Sequence, residues 1–145
     1  MKNELKKVLI FSTKNAGRSQ MAEGWLKYYG KKYLEVYSAG LKATEVSPFA
    51  KKAMSEAVVE IPQNTSKTIA DLEQKSFDFV ICFDREAFEQ CPELEGNPEK
   101  ELFETPDPSK EEGDDMTRLR VYRAVCNSVE DKCLEFVQKH FNFPF

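Results

Sequence analysis

Apolar residues crowd together near the start of the chain. Leu5–Phe11 contains Leu5, Val8, Leu9, Ile10 and Phe11, and such a run predicts a strand buried on both faces, as in a parallel sheet. Polar residues follow at once. After Arg18, the positions Met21, Ala22, Trp25, Leu26 and Tyr29 recur at three and four, predicting a helix with one apolar stripe that Gly30 ends. Leu34–Tyr37 predicts a second strand closed by Ser38, Ala39 and Gly40, and Phe49, Ala53, Met54 and Ala57 predict a helix started near Ser47-Pro48. A short helix is expected at Thr68–Gln74. Phe77–Phe83 is the most strand-like segment, and Arg85–Cys91 reads as a short helix stopped by Pro92. Glu93–Lys100 reads as a polar connection, Leu102-Phe103 as a brief strand, and Pro106-Asp107-Pro108 as a loop. A long helix is predicted from about Asp114 to His140, with Leu119, Tyr122, Cys126, Val129, Cys133 and Phe136 as its core stripe.

Strands alternating with helices predict an α/β fold of three layers: a four-stranded parallel sheet, joined by right-handed crossovers and covered by helices on both faces. In such sheets ligands gather beyond the carboxyl ends of the strands, and the loop leaving the first strand is a favoured place. With no internal repeat or linker, residues 1–145 read as one domain.

Composition narrows the function classes. The chain of 145 residues is 41% hydrophobic with a net charge of −4, enough apolar surface for a core and no global positive field to attract nucleic acid or an acidic membrane. No apolar run reaches the roughly 20 residues that cross a bilayer, and Val8–Phe11 lies too close to a charged start for a signal-peptide core. A cytoplasmic protein is expected. The four cysteines, Cys82, Cys91, Cys126 and Cys133, lack CxxC spacing, which favours reduced thiols over a disulfide framework.

The chemistry is carried by the segment after the first strand, Ser12-Thr13-Lys14-Asn15-Ala16-Gly17-Arg18-Ser19. A strand-to-helix loop lets several backbone N–H groups converge at the positive end of the helix, a cradle for a tetrahedral oxyanion. Arg18 can fold back to give a bidentate contact, and Gly17 permits backbone that a side chain would hinder. Spacing alone equally suits an ordinary strand-to-helix turn with a solvated arginine. The segment lacks the GK[ST] ending of nucleotide-binding loops and the GxGxxG of dinucleotide folds.

The longer string Ser12–Trp25, STKNAGRSQMAEGW, resembles the signature of thioredoxin-type arsenate reductases and the related low-molecular-weight tyrosine phosphatases, whose pattern is Cys-x5-Arg-Ser. Tyr37-Ser38-Ala39-Gly40, Asn64-Thr65-Ser66, Ile81-Cys82-Phe83-Asp84 and Asp107-Pro108 resemble further segments of that family in the same order. The resemblance implies a low-molecular-weight phosphatase-like fold, with position 12 as nucleophile, Arg18 as oxyanion clamp and Ser19 supporting a thiolate. Serine stands where that cysteine belongs. A cysteine at a helix N-terminus beside arginine has its pKa drawn below ~8.5, whereas a serine needs a neighbouring base. The sole histidine, His140, is expected at the surface of the last helix, away from the loop. Ser12 therefore marks either a cysteine-to-serine exchange in an otherwise complete enzyme, favoured by survival of the rest of the loop, or a natural binding protein. Losing a thiolate removes a repulsion of ~4 kcal/mol at about 4 Å with an effective dielectric near 20, so the serine form should hold the anion more tightly.

The same resemblance makes Asp107 a general acid, stiffened between two prolines, although a turn aspartate is the plain alternative. Ser109-Lys110-Glu111 follow it where tyrosine phosphatases carry an aromatic residue, which favours arsenate over an aryl phosphate. Cys82 and Cys91 match the resolving pair of the arsenate reductases, with a longer spacing of eight intervening residues; Cys82 would also be ordinary in a buried strand. Cys126 and Cys133, like Met21 and Trp25, read as core. Asn15, Glu23 and Ser38 match positions that support the loop and, in some arsenate reductases, hold potassium. Lys67 stands at the remaining ligand position, where its ammonium would replace the cation and leave the site metal-free, or simply be solvated. The expected activity is arsenate reduction by an enzyme with no bound cofactor and an external reductant, a thioredoxin-like protein or a small thiol. A tyrosine phosphatase and a non-catalytic oxyanion-binding module are the alternatives, and in every case the ligand is arsenate, phosphate or another tetrahedral oxyanion.

Overall fold

A computed structural model describes residues 5–57, 66–74 and 76–141. The expectations attached to Asn64 and Thr65 lie outside the described residues.

Four strands, β1 (Lys6–Ser12), β2 (Leu34–Gly40), β3 (Phe79–Cys82) and β4 (Glu99–Leu102), form one parallel sheet in the order β2-β1-β3-β4. Four helices, α1 (Arg18–Tyr29), α2 (Pro48–Glu56), α3 (Arg85–Gln90) and α4 (Asp115–Phe141), accompany it. The predicted three-layer α/β arrangement is the one observed. Alternation along β1 divides the core. Val8 and Ile10 face α1, α2 and α4 through Met21, Trp25, Met54 and Phe136. Leu9 and Phe11 face the opposite layer, with Val80, Cys82, Ala87 of α3 and Leu72. Val8, Leu9 and Ile10 are all fully buried, and each such side chain contributes roughly 1.5–3 kcal/mol relative to exposure.

The structure departs from the sequence-based reading in four places. Ser38, Ala39 and Gly40 do not close β2 but continue it, because their backbone pairs with Ile10, Phe11 and Ser12. The helix expected at Thr68–Gln74 is a single 3-10 turn, Ile69–Asp71, held by reciprocal hydrogen bonds between Thr68 and Asp71. The last strand begins at Glu99, inside the segment read as a polar connection, and ends at Leu102; as a sheet edge it needs no apolar alternation. Finally, His140 is largely covered. Its ring packs on Phe79 and Phe136, and Nε2 lies 2.8 Å from Glu101 Oε2 and 3.6 Å from Glu99 Oε2, fastening the end of α4 to β4.

The order β2-β1-β3 places the switch in chain direction beside β1. The carboxyl ends of β1 and β3 therefore open a crevice, and the loops after β1, β3 and β4 meet there.

Candidate active site

The cleft encloses about 800 Å³ and is lined by residues 12–18 and, among others, Asp84, Thr105, Asp107 and Tyr122. Residues 12–18 run from the end of β1 into α1, and hydrogen bonding has sorted their polar groups. The six carbonyls from Ser12 to Gly17 all accept from protein donors: Leu41 N, Lys42 N, Ser66 Oγ, Gln20 Nε2, Ser47 N and Met21 N in turn. The amides of Lys14, Ala16, Gly17 and Arg18, by contrast, donate to no acceptor among the described residues. The N-terminus of α1 also lacks a side-chain cap and has no acidic residue in its first turn. Four bare donors at the positive end of a 12-residue helix form a concave, anion-seeking surface.

Two loop amides are engaged within the protein, which corrects the expectation that the whole segment faces a ligand. Thr13 N donates to Asp84 Oδ2 at 3.0 Å, and Asn15 N donates to Ser12 Oγ at 3.0 Å. The left-handed residue of the loop is Asn15, with φ 53°. Gly17 has φ −124°, and a side chain there would meet only ordinary contacts with Tyr122 and Pro108, so the role expected of Gly17 falls to Asn15. Asparagine tolerates this backbone because its side chain bonds locally. Asn15 is fully buried; Nδ2 donates to Ser19 Oγ, and Oδ1 accepts from Gln20 Nε2 and Lys67 N. Gly40 is also required: a Cβ there would lie 2.8 Å from Asn15 N and 2.9 Å from Lys42 O.

Ser12 is buried at the floor of the cleft, its Oγ donating to Ser19 Oγ at 2.8 Å. Among the described residues the partners of Ser12 Oγ are Ser19 Oγ and Asn15 N, neither of them a base, and His140 pairs with Glu99 and Glu101 of β4 instead. A serine in this setting stays a neutral hydroxyl. A thiolate in its place would find two donors already aimed, Asn15 N–H and the Ser19 hydroxyl, the latter freed to donate because Asn15 Nδ2 satisfies its oxygen.

Arg18 lines the cleft with its side chain only 10% exposed. Nη1 donates to the carbonyls of Phe83 and Thr105 at 3.2 and 2.6 Å, which fixes the guanidinium plane. Nη2 lies 3.4 Å from Asp84 Oδ2 and 3.8 Å from Asp107 Oδ2. Burial pushes the Asp107 carboxyl up, but hydrogen bonds from the Ser109 hydroxyl and amide, with Arg18 and Lys14 nearby, outweigh it and hold the group below the usual carboxylate range. Asp107 therefore rests as a carboxylate and must receive a proton before it can act as an acid.

Cys82 and Cys91 are both free thiols that contribute to the layer beneath α3, Cys82 fully buried and Cys91 partly so. Burial pushes the Cys82 thiol up to about 12, with Cys91 adding to the effect, and raises Cys91 as well. Cys82 lies on the α3 face of the sheet with Phe11, whereas Ser12 bonds to α1. Cys126 and Cys133 are buried on α4 as expected, Cys126 against Met54 Sδ at 3.4 Å.

Beneath the loop, Glu23 is nearly buried, accepts from the Ser38 hydroxyl, and pairs with Lys27 at 2.7 Å and Lys67 at 3.9 Å. Burial lowers the Lys67 pKa and Glu23 counteracts it. This group does not suit a potassium ion: an ammonium already lies against the one carboxylate, and Asn15 Oδ1 carries two N–H donors.

A model of the low molecular weight phosphotyrosine protein phosphatase family matches residues 7–141, and the chain belongs to that family. Its relatives include the arsenate reductase of Halalkalibacterium halodurans, 41% identical over 139 residues that cover 92% of this chain and 96% of the relative. The fold superposes on an arsenate reductase in an oxidized state with a TM-score of 0.79 and 30% identity, and on one in a phosphate-binding state with a TM-score of 0.72 and 29% identity, each covering 93% of this chain and 98% of the other.

Two features of the site were missed by sequence reading. Asp84 was seen only as part of a resembling segment, and the donors that anchor the loop carbonyls, Leu41, Lys42, Ser47 and Ser66, were not singled out. Their bonds to the loop leave no local signal, because they span long stretches of sequence, 71 residues from Thr13 to Asp84 and 52 from Lys14 to Ser66.

Proposed function

We propose that the chain binds a tetrahedral oxyanion, arsenate or phosphate, on the amides of Lys14, Ala16, Gly17 and Arg18, and that it is the serine form of a thiol-dependent arsenate reductase. The observation that carries this reading is the sorting of the loop: every carbonyl from Ser12 to Gly17 has a protein donor, and four amides have no protein acceptor among the described residues. The named arsenate reductases similar to this chain, and the two free thiols Cys82 and Cys91 in one layer beneath α3, support the choice of arsenate.

In this reading Arg18 and the helix N-terminus neutralise the anion while residue 12 lies at its base. With cysteine at that position, the thiolate would attack arsenic and the displaced oxygen would leave as water. Asp107 would collect a proton from the entering anion and return it to that oxygen. Attack by the Cys82 thiolate on the residue-12 sulfur would form an S–S bond and leave the electron pair on arsenic, releasing arsenite. Cys91 would then attack Cys82, free residue 12 and leave a Cys82–Cys91 disulfide for an external thiol reductant, a thioredoxin-like protein or a small thiol. As given, the chain should bind without turnover. The ammonium of Lys67 serves in place of a cation beneath the loop.

Ser12→Cys, assayed in parallel on arsenate with a thiol reductant and on an aryl phosphate, tests the proposal. Arsenite formation that Cys82→Ser abolishes is expected. Aryl phosphate turnover indifferent to Cys82 would establish a phosphatase instead, and no gain on either substrate would leave an oxyanion-binding module.

A further inference from the structure

Asp84 occupies an unusual junction. It follows Cys82 by two residues and caps α3 through Oδ1, which accepts from Ala87 N at 2.8 Å. Its other oxygen reaches across to the oxyanion loop, accepting from Thr13 N and Thr13 Oγ1, each at 3.0 Å, and lying 3.4 Å from Arg18 Nη2. Phe83, between Cys82 and Asp84, accepts from Arg18 Nη1. One carboxylate thus fastens the loop to the segment that carries both resolving thiols, for α3 ends at Cys91.

Apart from that cap the segment is held by contacts at exposed positions, Arg85 with Glu104 at 3.2 Å and Lys100 donating to Phe88 O at 3.1 Å, and by the partly buried Phe88 and Cys91. The helix α3 has six residues and buries only Ala87, too short to persist by backbone bonding alone. It must nevertheless move, since Cys82 is fully buried on the face of the sheet away from residue 12.

We propose that Asp84 is a positioning residue through which filling of the oxyanion loop loosens the Cys82–Cys91 segment. A dianion on the loop draws the Arg18 guanidinium to itself and opposes the Asp84 charge, so the carboxylate loses its hold on the loop and α3 loses a rigid cap. The thiols then become accessible when substrate is present and stay covered when it is absent. Linkage requires the converse: a loosened α3 favours the anion by the same factor. This inference rests on the anion-binding reading above, and it gives the thiol pair a means of answering to substrate.

Hydrogen exchange of residues 85–91, measured with and without saturating inorganic phosphate and with binding followed separately by calorimetry, tests it. Phosphate should speed exchange in the chain at least about threefold, and alkylation of Cys91 should quicken in step. In Asp84→Asn, which keeps a cap oxygen but no charge, phosphate should still bind and exchange should not change. Binding without any change in 85–91 overturns the role of Asp84 and leaves the anion-binding reading intact; an equal change in Asp84→Asn does the same. Absence of binding overturns both. Should Asp84→Asn fail to fold, Thr13→Val takes its place: it removes the hydroxyl that donates to Asp84 Oδ2, so its segment should exchange faster before phosphate is added and respond less to it, and an unaltered response overturns the role of Asp84.

Discussion

The hydroxyls of Ser12 and Ser19 lie 2.8 Å apart, with Asn15 N–H pointing at the same Ser12 oxygen from 3.0 Å. Those donors would serve an anion at residue 12 far better than a neutral hydroxyl. In the Ser12→Cys form, Ser19→Ala should therefore raise the thiol pKa by about one unit, equivalent to ~1.4 kcal/mol between protonation states. The rate of iodoacetamide alkylation of residue 12 against pH measures it. An unchanged profile would show that Ser19 is only packing.

The four native thiols should react in order of exposure. Cys91 is partly exposed at the end of α3, whereas Cys82, Cys126 and Cys133 are buried, and burial raises the pKa of all four. Alkylation at neutral pH followed by peptide mapping should mark Cys91 first and roughly tenfold ahead of the others. Early labelling of Cys133 would contradict the packing of α4.

Asp107 gives a pH dependence of known sign. Its folded pKa lies below the ordinary 3.8, so folding favours the charged form and the contribution to stability is present above about pH 4. It is lost as pH falls through the lower, folded value. Chemical denaturation of the chain and of Asp107→Asn across pH 2 to 7 should show the variant less stable at neutral pH, with the difference vanishing at the acid end. A difference that grows on acidification would contradict the Ser109 and Arg18 contacts.

Lys67 pairs with a nearly buried Glu23 beneath the loop. Lys67→Met should lower stability by about 1–2 kcal/mol and make the melting temperature respond to potassium. Thermal melts in potassium and sodium chloride of equal strength check both effects. Potassium-specific stabilisation of the unaltered chain would show that the ammonium does not take the cation's place.

How much of this was legible beforehand depended on the range of each interaction. The strand β1 and the stripe of α4 repeat on their own periods, so Val8, Ile10, Leu119 and Phe136 announced themselves as core. The edge strand β4 did not, because Glu99, Lys100 and Glu101 face solvent or His140 instead of a layer of apolar neighbours. The strand-to-helix reading located the loop and Arg18, yet it assigned the special backbone to Gly17 when Asn15 takes it, since a buried asparagine with local partners imitates a turn glycine. Asp84 was legible only as part of a resembling segment: its tie to the loop lies in Thr13 and Arg18, 71 and 66 residues earlier.

The central claim is that four loop amides hold a tetrahedral anion. Amide chemical shifts of the uniformly labelled chain, titrated with phosphate and with arsenate, test it most directly. The account predicts saturable shifts at Lys14, Ala16, Gly17 and Arg18 that are absent in Arg18→Ala, with affinity no weaker than in Ser12→Cys. Shifts that never saturate, or that spread over surface lysines while those four amides stay still, would contradict it.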